Sequence, residues 1–121
     1  MFENFYYMTI REISSLIQGE ILCGEALLDH SQVYAFASDL MSDVLTLKTD
    51  NFMLITGLAN IQTIRTAEMS DLKCVLLVRG KEATEEMIEL AKESGIVLLR
   101  TPFSMFKTSG ILYAAGLCPV Y

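Results

Sequence analysis

Apolar positions along the chain switch repeatedly between two periods, and the switching orders the elements. Ile10, Ile13, Leu16 and Ile17 recur at three- and four-residue spacing, which makes one stripe of a helix. Thr9-Ile-Arg-Glu12 ahead of the stripe has the pattern of a capping box, so the helix is expected to begin after Thr9 and to end at Gly19 in the left-handed conformation. Residues 21–23 and 32–37 are short apolar runs between polar turns and read as strands. Helical spacing returns with Leu40, Val44 and Leu47, and Asp39 is placed to be the N-cap. Residues 51–56 form an unbroken apolar run, as expected of a strand covered on both faces, and Gly57 ends it.

The same alternation fills the second half. Asn60 can cap a helix carrying Ile61, Ile64 and Ala67, and residues 74–78 form the next buried strand before the turn Arg79-Gly80-Lys81. Thr84 can cap a helix with Glu85 and Glu86 at its positive end and Gly95 at its stop. Residues 96–99 are the last expected strand, and Thr101-Pro102 suggests a cap and first turn for a helix running to about Ala115. The tail, residues 117–121, carries no assignment. Strands alternating with helices over short links predict a three-layer α/β/α sandwich, with a mainly parallel sheet of about five strands. One domain is expected over residues 9–121, behind an aromatic leader, residues 1–8, that reads as a packing arm or an upstream start.

Composition narrows the function classes. The chain has 121 residues, 52% hydrophobic, which suits one domain with its own core. Fifteen acids against nine Lys and Arg give a net charge of −6, which argues against a sequence-independent hold on nucleic acid. No apolar run approaches the roughly 18 to 20 residues of a membrane span, and no signal-peptide pattern opens the chain, so a cytoplasmic protein away from the membrane is expected. Three scattered cysteines and a single histidine, His30, leave disulfide frameworks, zinc sites and most catalytic templates without parts. Neither a metal nor a cofactor is expected, and the chain reads as a non-enzyme.

Ligands of an open parallel sheet gather at its carboxyl edge, where helix N-termini and loop amides converge. That edge should carry Ser38 and Asp39, then Thr56, Gly57 and Asn60, then Arg79, Gly80 and Lys81, then Arg100, Thr101 and Ser104. Arg79 and Arg100 follow adjacent strands in an acidic chain, so they could flank an anion such as a phosphate. Surface ion pairing with Asp39, Glu82 or a partner subunit is the competing account. An acidic cluster for a receiver-type magnesium site is missing, because the strand ends carry Thr56, Arg79 and Arg100.

The stretch Tyr34-Ala-Phe-Ala-Ser-Asp-Leu-Met-Ser-Asp43, the strands Phe52-Met-Leu-Ile-Thr-Gly57 and Val75-Leu-Leu-Val-Arg-Gly80, and the run Gly95-Ile-Val-Leu-Leu-Arg-Thr-Pro102 followed by residues 103–108 resemble the DRTGG domain family. The resemblance extends over residues 9–121. It implies an α/β fold similar to the N-terminal domain of HPr kinase, frequent dimerisation, and a regulatory or ligand-sensing role without catalysis. Similar stand-alone members accompany hydrogenase and redox signalling components, so a signalling or redox protein partner is implied. This chain departs from the motif: Leu58-Ala59-Asn60 stands where the Asp-Arg pair is typical, and Arg79-Gly80-Lys81 where Thr-Gly-Gly is typical.

Two functions follow as expectations. The first is a non-catalytic regulatory or protein-interaction module, and the second a small-molecule sensor binding a nucleotide or other anion at the carboxyl edge. A homo-oligomer, most simply a dimer, is expected from the aromatic leader, a helix bearing Phe103, Met105, Phe106 and Tyr113, and the apolar tail ending in Tyr121.

Overall fold

The computed structural model describes residues 8–121; of the leader expected over residues 1–8, residues 1–7 lie outside them and Met8 belongs to a strand. The chain opens with β1 (Met8–Thr9) and α1 (Ile10–Leu16). The capping box forms: the Thr9 hydroxyl accepts from the Glu12 N–H at 3.1 Å, and Glu12 Oε1 accepts from the Thr9 N–H at 2.9 Å. Termination differs from expectation. Gln18, at φ 52°, takes the left-handed position. Gly19 serves a different need, because a Cβ there would lie 2.6 Å from Ser14 Oγ.

The remaining elements are β2 (Glu20–Cys23), β3 (Ser31–Gln32), β4 (Tyr34–Ala37), α2 (Met41–Leu45), β5 (Phe52–Thr56), α3 (Ile61–Met69), β6 (Cys74–Leu77), α4 (Glu85–Ser94), β7 (Val97–Arg100), α5 (Met105–Ala114) and β8 (Cys118–Pro119). The main sheet has six strands in the order β2-β7-β6-β5-β4-β8. The pairs from β8 through β7 are parallel, and only the edge strand β2 runs antiparallel, against β7. The sixth strand comes from the tail, where the Cys118 N–H donates to the Val33 carbonyl. The expected strand over 32–37 divides at the same residue, since Gln32 pairs with Met8 while Tyr34 enters the main sheet.

Each buried strand alternates its side chains between two cores. Met53, Ile55, Cys74, Leu76 and Leu99 pack on α1 and α5 through Ile10, Ile13, Ile17 and Leu112. Phe52, Leu54, Val75, Leu77 and Leu98 pack on α2, α3 and α4 through Val44, Ile64, Ala67, Met87 and Ala91. The three layers are therefore present, with two helices on one face of the sheet and three on the other. The caps at Asn60 and Thr84 form as expected, accepting from the Thr63 and Met87 N–H groups. Gly95, at φ 69°, ends α4.

The start of α5 departs from the Thr101-Pro102 expectation. Ser104 is the cap, accepting from the Lys107 N–H at 3.1 Å. Thr101 is unavailable because it is fully buried. Its hydroxyl donates to the Ile17 carbonyl at 2.6 Å and accepts from the Phe103 N–H at 3.2 Å.

Candidate functional site

Parallel pairing of β4, β5, β6 and β7 brings their carboxyl ends to one edge of the sheet. Asp39 follows β4, and the sequence pattern makes it a cap for α2. It does not cap that helix: Leu40 holds the N-cap position, with no side-chain hydrogen bond there. The carboxylate reaches across the edge instead. Its Oδ1 accepts from the Gly57 N–H at 2.6 Å and from the Thr56 hydroxyl at 3.0 Å, and its Oδ2 accepts from Arg79 Nη1 at 3.4 Å. The physical reason is competition between acceptors and donors. An N–H just beyond the end of a buried strand needs an acceptor, whereas the exposed start of a five-residue helix can use water. The Gly57 N–H, followed by the Thr56 hydroxyl and Arg79, holds the Asp39 carboxyl below the usual carboxylate range.

One carboxylate thus ties together the chain ends after β4, β5 and β6. The neighbouring groups complete the tie. The Thr56 hydroxyl also accepts from the Leu58 N–H, and Ser38 Oγ accepts from the Leu40 N–H. Asn60, at the start of α3, is occupied by its own capping bond.

Arg79 sits at φ 65° and Gly80 at φ 66°, two consecutive left-handed residues that form a tight turn with a bond from the Lys81 N–H to the Val78 carbonyl. Left-handed backbone costs a non-glycine residue roughly 1 kcal/mol. Tertiary bonds hold it there: the Arg79 N–H donates to the Phe103 carbonyl at 2.8 Å, and the Gly80 N–H to the Thr101 carbonyl at 2.9 Å. This backbone sends the Arg79 side chain back over Gly57, where Nη2 donates to the Gly57 carbonyl at 3.5 Å. Lys81 stays exposed at the turn.

The two arginines expected to flank an anion engage different neighbours. Arg79 turns toward β5 and Asp39, whereas Arg100 turns toward the antiparallel edge and meets Glu20 at 2.8 Å and Glu82 at 3.8 Å. Among the described residues they share no carboxylate. Thr101, next to Arg100, lies in the core. The groups that the fold gathers are therefore Asp39, Thr56, Gly57 and Arg79, with Ser38, Asn60, Gly80 and Lys81 on flanking loops. Among the described residues, no group of three or more His, Cys, Asp or Glu could hold a metal ion. Among the described residues, no helix is long and apolar enough to cross a membrane.

A second feature lies on the face covered by only two helices. Between α5 and the β4–β8 edge runs an apolar cleft of about 340 Å³, with Ala35 and Ala37 on its sheet side, Tyr113 and Tyr121 among its walls, and Ser109, whose buried hydroxyl has no hydrogen-bond partner among the described residues. Phe106 on α5 is 90% exposed, Tyr113 69% and Tyr121 88%. The aromatic content of α5 signals the exposed face. The cleft itself depends on β8, which is two residues long and has no periodicity to read.

The DRTGG domain family profile matches residues 12–115. No curated protein matches the chain. Among solved structures, the chain is similar to the CBS and DRTGG domains of the regulatory region of a Clostridium perfringens pyrophosphatase, complexed with the activator diadenosine tetraphosphate. The TM-score is 0.69 at 17% identity, over 89% of this chain and 46% of that one. The chain thus spans less than half of that structure's length, and the likeness is one of fold.

Proposed function

The chain belongs to the DRTGG domain family, and from that membership we propose that it is a non-catalytic regulatory module that works through protein contact, first of all with a second copy of itself. The observation that carries this reading is the α5 face: Phe106 stands in solvent on the helix whose Tyr113, also exposed, lines an apolar cleft. Exposed aromatics grouped around a concavity mark interaction surfaces. Gly110 lies between them on the helix, with no atom of the described residues within 4 Å of where its Cβ would be, so a second helix can approach closely there. A signalling or redox protein, as the family resemblance implies, is a further partner for this face. The three free cysteines suit a reducing cytoplasm. Light scattering tests the reading. A dimer at micromolar concentration that falls to monomer in Phe106→Asp or Tyr113→Asp supports it, and a wild-type monomer overturns it.

A second reading is favoured by Arg79, a half-exposed guanidinium fixed at the carboxyl edge by its turn. On this reading the module senses an anionic small molecule there. The similar pyrophosphatase region is complexed with a nucleotide activator, which supports the ligand class. A rise in melting temperature with adenine nucleotides or pyrophosphate, absent in Arg79→Ala, tests it, because a ligand of the native state must stabilise it.

A further inference from the structure

The Gly57 N–H, the Thr56 hydroxyl and the Arg79 guanidinium converge on one point, and that point is filled by the Asp39 carboxylate. A backbone amide, a hydroxyl and a guanidinium are the donor types with which proteins hold phosphoryl and carboxylate oxygens. We propose that Asp39 is an internal competitor, and that a phosphoryl group of a small ligand takes its place on Arg79 and the Gly57 amide, releasing the loop that leads into α2. This deepens the anion-sensing reading and rests on it.

Three features of the cradle carry the inference. The resident carboxylate is held unevenly, with a short bond to the Gly57 N–H and a long one, 3.4 Å, to Arg79. Among the described residues the guanidinium uses that contact and a 3.5 Å bond to the Gly57 carbonyl, leaving N–H donors for a group with more oxygens than a carboxylate. Second, the side chains of Asp39 and Arg79 are 46% and 45% exposed, so an incoming group reaches both without opening the core.

The third feature is mechanical. The turn that carries Arg79 is held by backbone bonds from the Arg79 and Gly80 N–H groups to the Phe103 and Thr101 carbonyls, none of which involves Asp39, so the turn keeps its place when Asp39 leaves. Asp39 has no such support. It sits on the link between β4 and α2, which is tied to the sheet by the Asp39 bonds and by the Ser38 N–H to the Ile55 carbonyl. The helix beyond is five residues long and has no side-chain cap. Exchanging Asp39 for a ligand therefore leaves the basic side of the site fixed and loosens the acidic side, which couples occupancy to the α2 segment.

The probe is inorganic pyrophosphate, titrated by calorimetry into wild-type protein, Asp39→Asn and Arg79→Ala. Asn keeps an acceptor for Gly57 and Thr56 but replaces the charged acceptor facing Arg79 with a neutral NH2 donor. The expected result is binding roughly tenfold tighter to Asp39→Asn than to wild type, and none to Arg79→Ala. In the wild type, where no variant has to fold, pyrophosphate should speed amide exchange across residues 40–45. Wild-type binding that Asp39→Asn leaves unchanged or weakens overturns the competitor role and leaves the sensing reading intact. Malonate binding more tightly than pyrophosphate overturns the phosphoryl assignment. No binding to either protein overturns both readings.

Discussion

Arg79 lies so closely across Gly57 that a Cβ on the glycine would come within 2.5 Å of Nη1 and 2.6 Å of Cζ. The absent side chain is what lets the guanidinium reach Asp39 from the far side of β5. Gly57 does not have the positive φ that marks other glycines of the chain, so close approach, not backbone freedom, selects glycine here. Gly57→Ala should consequently be mild for the fold, because the crowded atoms are the far end of a flexible side chain that can swing into solvent. Loss of a half-exposed ion pair costs about 0 to 1 kcal/mol, and Gly→Ala recovers about 0.4 to 1 kcal/mol through the unfolded state. Urea denaturation should show a near-neutral change together with a lost pyrophosphate response. Destabilisation beyond about 2 kcal/mol would mean that the guanidinium cannot leave.

Asp39 should also carry a pH signature. Its folded-state carboxyl lies below the ordinary value, with the Gly57 N–H as the leading cause. A depressed carboxylate stabilises the fold fully above its unfolded value, near pH 4, and the contribution disappears as pH falls through the folded value. Asp39→Asn should remove that part of the acid dependence, lowering the midpoint modestly at neutral pH and converging on wild type at low pH. Asp39→Ala should cost more, since the Gly57 N–H and Thr56 hydroxyl lose their acceptor. Urea midpoints compared between pH 2 and 7 check this. Parallel acid profiles for wild type and Asp39→Asn would rule it out.

Thr101 and Ser104 offer a sharper contrast than their chemistry suggests. Both sit at the entry to α5, but only Ser104 caps it. Thr101→Val strands the Phe103 N–H and the Ile17 carbonyl in a buried setting and should cost roughly 1 to 3 kcal/mol. Ser104→Ala, at an exposed cap, should cost about 1 kcal/mol. Equal or reversed losses would show that the α5 entry is held some other way.

The same pair of residues shows what the sequence could and could not reveal. Periodicity located every major helix and the strands of the sheet's centre, because Phe52 to Ile55 and Cys74 to Leu77 are apolar and buried on both faces. Caps whose partners lie three residues on, as at Thr9, Asn60 and Thr84, were legible for the same local reason. Asp39 and Thr101 were not. Each has a plausible local partner and a stronger distant one, Gly57 for the first and Ile17 for the second. Likewise, Arg79 and Arg100 both reach the carboxyl edge as expected, yet which carboxylate each meets depends on β2 running antiparallel, which nothing local in residues 20–23 dictates.

Gly24 should be the least replaceable glycine of the fold. Its φ is +94°, and a Cβ would lie 2.7 Å from the Val97 Cα, a backbone atom that cannot yield. Left-handed backbone at roughly 1 kcal/mol and overpacking at about 1 to 3 kcal/mol together predict a loss of some 2 to 4 kcal/mol for Gly24→Ala. Gly110→Ala, in open space within α5, should instead be neutral or slightly stabilising in the monomer. Thermal unfolding of the two variants, side by side, separates them.

The cysteines give a test that joins stability to the α5 surface. Thiolate is the reactive form, so burial that disfavours it also suppresses labelling. Cys74 is fully buried in β6 and its thiol is pushed up to about 12, while burial also raises Cys23, which donates to the Ile96 carbonyl. Cys118 is only partly buried and lines the cleft beside α5. A thiol reagent at neutral pH should therefore modify Cys118 quickly, and Cys23 and Cys74 only at the rate of unfolding. If a second copy covers the α5 face, labelling of Cys118 should slow as protein concentration rises, and Phe106→Asp should abolish that slowing. A Cys118 rate independent of concentration would argue that any dimer forms on another surface, and prompt labelling of Cys74 would mean that the sheet opens far more readily than its packing implies.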